Sequence, residues 1–257
     1  MIFEKEYIDI FEDYFDINKE DFRSEDAYEA ELCERIKGYS KKIISKLPNL
    51  KTDVSEMLEL FSLIDELKRD KSFDTFLSWV SEIKRFDFSM HPVHGLPHTF
   101  RCGFYAFCIG LKLGISEELL KICVLAGLFH DIGRTDDEFD VVHGEASASM
   151  LLKLFKELDE RYLSVMQAAV HTHCFPEPFD ESMWLDYIHV LDIDDTRLVS
   201  DILRASDSLD YMRLGISSYD DKYLHGEIER KMILVAFECN LIYNKFPEIY
   251  SKIFSKI

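Results

Sequence analysis

The sequence has few residues that interrupt helices and no closely spaced pair of cysteines. Only 10 glycines and 6 prolines occur among 257 residues, and several of them cluster in the stretches HPVHGLPH, HDIGR, VVHGEA and CFPEPFDES. The six cysteines stand singly, which favours buried free thiols over disulfides. Because no C-x-x-C pair is present, the sequence excludes a zinc ribbon.

Long apolar runs are also missing. No run reaches the roughly 18 residues that a membrane helix needs, so we expect no membrane partner. The first residues, MIFEKEYIDIFEDYFD, lack the basic and then apolar order of a signal peptide. We therefore predict a cytoplasmic protein.

Basic residues are scarce relative to acidic ones. The chain has 30 Lys and Arg against 49 Asp and Glu, which gives a formal net charge of -19 at pH 7. Such a surface repels polyanions, so duplex nucleic acid is not an expected partner. A small phosphorylated molecule bound by local cations remains compatible with this charge. The sequence leaves the oligomeric state open.

Helical periodicity dominates the chain, and the alternation typical of strands is not visible over a useful length. Before Pro48, for example, apolar residues recur at spacings of three and four, at Leu32, Ile36, Tyr39, Ile43 and Leu47. We predict an all-α protein with an acidic helical N-terminal segment, residues 1–85, and a longer helical domain, residues 86–257. We expect the segment to pack on the domain.

Histidines are concentrated in the middle of the chain. Seven of the nine lie between positions 91 and 173, each near the boundary of a predicted helix. His130 and Asp131 follow the apolar run ICVLAGLF, where both side chains are costly to bury without a partner. Adjacent helical residues point about 100° apart, so both can reach an ion that lies against the helix end. Imidazole with carboxylate is a ligand set for Fe, Mn, Co or Zn, and Mg is a further option.

Other candidate ligands lie at similar places. His98 is in the predicted first turn of a helix that Pro97 introduces, His143 begins HGEASASMLLKLF, and His171 closes LSVMQAAVH. Asp207 lies on the helix of DTRLVSDILRASDSLDYMRLG. The alternative to metal ligation for these residues is a hydrogen-bonded polar network in the core.

The order of these residues resembles that of the HD-domain superfamily of metal-dependent phosphohydrolases. The pattern H…HD…D appears as His98, His130-Asp131 and Asp207, with local likenesses in HTFR, LAGLFHDIGR, HGEASA, AAVHTH and RASDSLDYMRLG. The resemblance covers roughly residues 90–214. It implies an all-helical bundle, and residues before about 85 are similar to no family that we name.

The resemblance also implies a ligand set. In the family, the equivalents of His98, His130, Asp131 and Asp207 bind one metal ion. Members with two ions add two histidines, and His143 and His171 are similar to those, with Asp131 as the bridge. The short step from Asp131 to His143 leaves a second role open for His143, as a contact to the substrate.

The resemblance further suggests roles in catalysis. Two ions would activate a water for attack on phosphorus, with Asp131 as a catalytic residue between them. Arg134 is the candidate for binding a phosphoryl oxygen, because a guanidinium offers a bidentate fork, although it could instead pair with Asp136 or Asp137. His173 and Arg101 are further candidates, for protonating the leaving group or orienting a ligand.

Three functions follow from these observations. The first is a phosphohydrolase that acts on a phosphoester or phosphoanhydride bond of a nucleotide or another small molecule. The second is a mixed-valence di-iron oxygenase, because a minority of proteins similar to HD domains use the same ligand pattern in that way. The third is a regulatory or interaction protein with a structural metal site. The sequence contains no motif that identifies the substrate.

Overall fold

The protein is built from helices, as the sequence predicts. The computed structural model describes residues 19–24, 26–28, 30, 31, 34, 71–80, 93–138, 142–188, 192–214, 224, 232, 236 and 239, and these residues contain no strand. Their α-helices are α1 Lys71–Val80, α2 Leu96–Leu113, α3 Glu117–Phe129, α4 His143–Leu154, α5 Glu160–Thr172 and α6 Ile193–Asp210. Short 3₁₀ helices cover Lys19–Asp21, Glu181–Asp186 and Tyr211–Leu214. The predicted helix at residues 32–47 lies outside the described residues, apart from Glu34.

Local sequence signals set the helix ends. Pro97 lies in the first turn of α2, where its missing N–H costs nothing. Gly114 ends α2 in the left-handed region, at φ 67°, and its N–H donates to the carbonyls of the last turn. The Ser116 hydroxyl caps α3 by accepting from a backbone N–H, and the Asp159 carboxylate does the same for α5. The connection between α2 and α3 is therefore tight.

Helix α3 is the buried centre of the domain. It contacts α1, α2, α5 and α6, and its last eight residues, 122–129, are all buried. At Gly127 the backbones of α2 and α3 approach closely, because a Cβ there would lie 2.9 Å from the Cys102 carbonyl carbon and oxygen. Gly127 precedes His130 by three residues, and Cys102 follows His98 by four. The close crossing therefore brings these two histidines together.

Helices α4 and α5 form a second close pair. A Cβ at Gly144 would collide with the carbonyl oxygen of His171, so only glycine fits this crossing. Gly144 directly follows His143. The start of α4 is thus held against the end of α5, and it also lies close to Asp131 and Gly133, which follow α3.

Helix α1 packs on the domain through aromatic side chains. The Phe76 ring is buried and lies 5.9, 5.8 and 4.9 Å, centroid to centroid, from the rings of Phe100, Phe104 and Phe107. This helix belongs to the predicted N-terminal segment. The division at residue 85 and the structure of most of residues 1–70 stay predictions. None of the described helices combines the length and the apolar character that a membrane crossing requires.

Candidate metal centre

Most of the predicted ligands lie where helices begin or end. His98 is in the first turn of α2, His130 caps the end of α3 with Asp131 directly after it, and His143 is the first residue of α4. Asp207 lies in the last turn of α6. The ends of four helices, α2, α3, α4 and α6, therefore contribute these side chains to one buried site.

The first cluster consists of His98, His130, Asp131 and Asp207. The Nε2 atoms of the two histidines lie 3.1 Å apart, and each is 3.5 Å from Oδ2 of Asp131. Oδ1 of Asp207 lies 3.4 Å from Nε2 of His98 and 3.8 Å from Nε2 of His130. Three of the side chains are buried, whereas Asp207 is 26% exposed. Asp207 therefore marks the open side of this cluster.

The other ring nitrogens of these histidines already have acceptors. Nδ1 of His98 is 2.7 Å from Oδ2 of Asp210, and Nδ1 of His130 is 2.9 Å from the Gly127 carbonyl oxygen. An acceptor at Nδ1 places the ring proton there, so Nε2 presents its lone pair. With both rings neutral, two such lone pairs would repel each other at 3.1 Å. A cation between them removes the repulsion.

The spacing also fits a metal ion. Two nitrogens that each lie about 2.1 Å from one ion are separated by about 3.0 to 3.4 Å in octahedral or tetrahedral geometry. The separation of 3.1 Å between the two Nε2 atoms lies in that range. Imidazole with carboxylate suits Mn, Fe, Co or Zn. The first cluster could therefore hold a divalent transition metal.

The second cluster shares Asp131 with the first. Nε2 of His143 and Nε2 of His173 lie 3.1 Å apart, and they are 3.3 and 3.6 Å from Oδ1 of Asp131. Nδ1 of His173 has the Val170 carbonyl oxygen at 2.6 Å, so its Nε2 also presents a lone pair. Oδ1 of Asp131 is buried and forms no hydrogen bond with the described residues. A second cation would satisfy this oxygen and both nitrogens.

The structure does not bring His171 to either cluster. Its ring packs against the rings of Phe175 and Tyr187, at centroid distances of 5.6 and 5.4 Å, and its Nδ1 forms no hydrogen bond with any residue that the structure describes. Two residues along a helix differ by about 200° in direction, so His173 points to Asp131 while His171 points away. His173 thus takes the place that the sequence suggested for His171, and the leaving-group role suggested for His173 does not fit this position.

In a comparison with protein-family models, residues 95–212 match the HD domain. Residues 95–212 are therefore similar to an HD domain. The matched residues include both clusters, and HD domains are typical of metal-dependent hydrolases. Comparisons with curated proteins and with solved structures returned no match.

Arg101 is buried in the core, where it binds Asp210 and does not face a ligand. Its side chain is 2% exposed, and its Nε and Nη2 donate to the two oxygens of Asp210 at 2.6 and 2.8 Å. Although burial raises the pKa of Asp210, the Arg101 guanidinium holds it well below its ordinary value. The ionised Asp210 then accepts from His98. The suggested contact between Arg101 and a substrate does not fit this arrangement.

Arg134 is the arginine that reaches the centre. Its Nε lies 3.1 Å from Oδ1 of Asp131, in an ion pair whose geometry does not make a hydrogen bond. Its Nη1 donates to the Glu138 carbonyl oxygen at 3.0 Å. The side chain is 11% exposed. The alternative partner Asp137 instead accepts from the backbone and the ring of His94. Arg134 is therefore placed between solvent and the shared carboxylate.

The pKa shifts of His130 and Asp131 suit ligation at neutral pH. Burial lowers the pKa of His130 to about 4, so its ring is neutral. Burial alone would raise the pKa of Asp131, but His130 and the other surrounding histidines hold it well below its ordinary value. A neutral imidazole beside an ionised carboxylate is the state that a metal ion requires.

Sequence reasoning missed the supporting residues. The spacing of Asp210 and Arg213 indicates an intrahelical pair, which the structure contains at 3.4 Å, but it does not indicate that Asp210 also accepts from His98 and Arg101. Arg204, which binds the segment after α5, carried no signal in the sequence. Pairs that are about 30 to 110 residues apart cannot be inferred from local spacing.

Proposed function

We propose that the protein is a two-metal phosphohydrolase that cleaves a phosphoester or phosphoanhydride bond in a nucleotide or another small phosphorylated molecule. One observation carries this proposal: the two oxygens of Asp131 each face a pair of histidine Nε2 atoms. One carboxylate between two nitrogen pairs is suited to bridging two divalent ions. The HD-domain match supports the coarser class, a metal-dependent hydrolase.

Bound divalent ions would supply Lewis acidity and a water of lowered pKa for attack on phosphorus. His98, His130 and Asp207 would hold one ion, His143 and His173 the other, and Asp131 both. We propose Mn, Fe, Co or Zn as the metal, from the ligand types.

Arg134 would orient the substrate. Its guanidinium is fixed on one side by the Glu138 carbonyl and lies beside Asp131. A phosphoryl group at the centre would accept hydrogen bonds from the same guanidinium, which is a strong, charge-assisted contact. The exposure of Asp207 and Arg134 suggests that the substrate enters on their side.

Metal analysis combined with a phosphate-release screen tests the proposal. The wild-type chain, His173→Ala and the matched control His171→Ala would be loaded with Mn²⁺ or Fe²⁺, and metal content and released phosphate measured. We expect about two ions per chain in the wild type and in His171→Ala, and one or none in His173→Ala, with phosphate release falling in step.

Other results would contradict the proposal. One ion per chain, unaffected by His173→Ala, would limit the centre to the first cluster. Two irons with consumption of O₂ and no phosphate released would identify the oxygenase alternative. Bound metal without any turnover would favour the structural and regulatory alternative.

A further inference from the structure

One arginine of α6 binds the chain where α5 ends. Arg204 is 4% exposed, and its Nη1 donates to the carbonyl oxygens of Thr172 and His173 at 2.9 and 3.3 Å. Its Nη2 donates to the Phe175 carbonyl oxygen at 2.8 Å. Helix α5 ends at Thr172, so the last carbonyls have no partner within the helix. Arg204 supplies partners from a different helix, and the Thr172 carbonyl also accepts from the Phe175 N–H.

The same guanidinium is held in place by a second set of contacts. Its Nε donates to the Glu177 carboxylate at 3.1 Å, and its Cζ lies 5.1 Å from the centroid of the Phe179 ring. An arginine fork can serve several acceptors in one plane, whereas a lysine ammonium cannot reproduce this geometry. The residue therefore orders the whole stretch from Thr172 to Phe179.

His173 lies inside this stretch. Its backbone carbonyl is bound by Arg204, and its ring is fixed through Nδ1 to the Val170 carbonyl. The neighbouring Thr172 is also held from the 3₁₀ helix, because the Trp184 indole N–H donates to its hydroxyl at 2.9 Å. The direction of the His173 ring toward Asp131 thus depends on the backbone that Arg204 holds.

The first cluster has its own support on the same helix. Asp210, six residues after Arg204, accepts from Nδ1 of His98 and is held by Arg101. Residues that fix a metal-ligating histidine commonly change metal affinity about 10- to 100-fold when they are substituted. Helix α6 therefore carries one support for each cluster.

We propose that Arg204 is a positioning residue for His173, and through it for the second metal position alone, while Asp210 serves His98 and the first position. The two positions then have separate supports and can be weakened separately. This inference rests on the two-metal centre proposed above.

Titration of the full-length chain with Zn²⁺, followed through ¹⁵N-labelled histidine side chains, tests this inference. Arg204→Lys should raise the Kd reported by the His173 signal at least about 10-fold and leave the Kd reported by the His98 signal within about 2-fold. Asp210→Asn should do the reverse. Arg197→Lys is the matched control, because Arg197 lies on the same helix in an exposed pair with Glu181. It should change neither value.

Two further arms keep the inference testable. In the metal-free chain, Arg204→Lys should shift the ring signals of His173 but not those of His130. If Arg204→Lys does not fold, Glu177→Gln removes the charged partner of the Arg204 Nε. It should raise the Kd at the second metal position by a smaller factor.

Equal weakening of both positions in Arg204→Lys would mean that Arg204 only stabilises the fold, and would overturn the inference. Unchanged Zn²⁺ affinities and ring signals would overturn it as well. A wild-type chain that binds one Zn²⁺ contradicts the proposed function instead. In that case the metal-free ring signals alone decide whether Arg204 positions His173.

Discussion

At the scale of single residues, Arg134 combines two opposing influences on the centre. Its guanidinium lies 3.1 Å from Oδ1 of Asp131, the oxygen that faces His143 and His173. A cation at this place competes with a second metal ion for the carboxylate, and it attracts a phosphate. The positive charge of Arg134 therefore disfavours binding of a second metal ion and favours binding of a phosphorylated substrate.

Arg134→Gln should separate these two effects. We expect kcat/KM for phosphate release to fall about 100-fold, or about 2.7 kcal/mol, because a charged donor to the transition state is lost. Metal content should stay at the wild-type value. Steady-state kinetics and metal analysis of the same preparation measure both. An unchanged kcat/KM would mean that Arg134 only pairs with Asp131. Arg161→Gln is the control, because Arg161 is half exposed and pairs with Asp192 and Asp195 instead.

At the scale of helices, the crossing of α2 and α3 sets the distance between His98 and His130. Alanine in place of glycine inside a helix ordinarily stabilises by roughly 0.5 to 1 kcal/mol. At Gly127 the new Cβ would meet backbone atoms of Cys102 and Gly103 at 2.9 Å, and backbone cannot move aside as a flexible side chain can. The sign of the effect should therefore reverse.

We expect Gly127→Ala to lower the free energy of unfolding by about 1 to 3 kcal/mol, the usual cost of overpacking, and to weaken metal binding at the first cluster. Urea denaturation and metal titration measure the two effects. Glu118→Ala, at an exposed position of the same helix, should leave both nearly unchanged. A Gly127→Ala chain that is more stable than the wild type would show that the helices separate without cost.

Helix ends also explain which part of the centre could be predicted from the sequence. The order of His98, His130, Asp131 and Asp207 was sufficient to bring these four together. The choice between His171 and His173 depends on α5 ending at Thr172, and sequence patterns locate a helix end only to within about two to four residues. An error of two residues reverses the direction of the side chain.

At the scale of the whole molecule, the sequence was sufficient for the all-α class, because helical periodicity runs through the chain. It was not sufficient for the supports of the centre. The contacts of Arg101 and Arg204 cross 109 and about 30 residues of sequence, and no local pattern records such partners. The N-terminal segment stays a prediction except where α1 packs on the domain.

The metal centre should also contribute to the stability of the whole domain. Without an ion, two pairs of Nε2 atoms face each other at 3.1 Å inside the protein. An ion that binds only the folded chain stabilises it by mass action, by about 2.7 kcal/mol at 100 times its Kd. Chelation of the purified protein should therefore lower its Tm by several degrees.

Thermal unfolding with and without a chelator measures this difference, and added Mn²⁺ should restore the Tm. His130→Ala should have a lower Tm, and the two treatments should change it less than they change the wild-type Tm, because its first cluster is incomplete. A wild-type Tm that is the same with and without the chelator would contradict a resident metal.

Anomalous diffraction from crystals of the Mn²⁺-loaded protein, collected at the manganese edge, tests the two-metal centre most directly. We expect two peaks on opposite sides of the Asp131 carboxylate, one against His98, His130 and Asp207 and one against His143 and His173. A single peak, or a second peak beside His171, would contradict the centre described above.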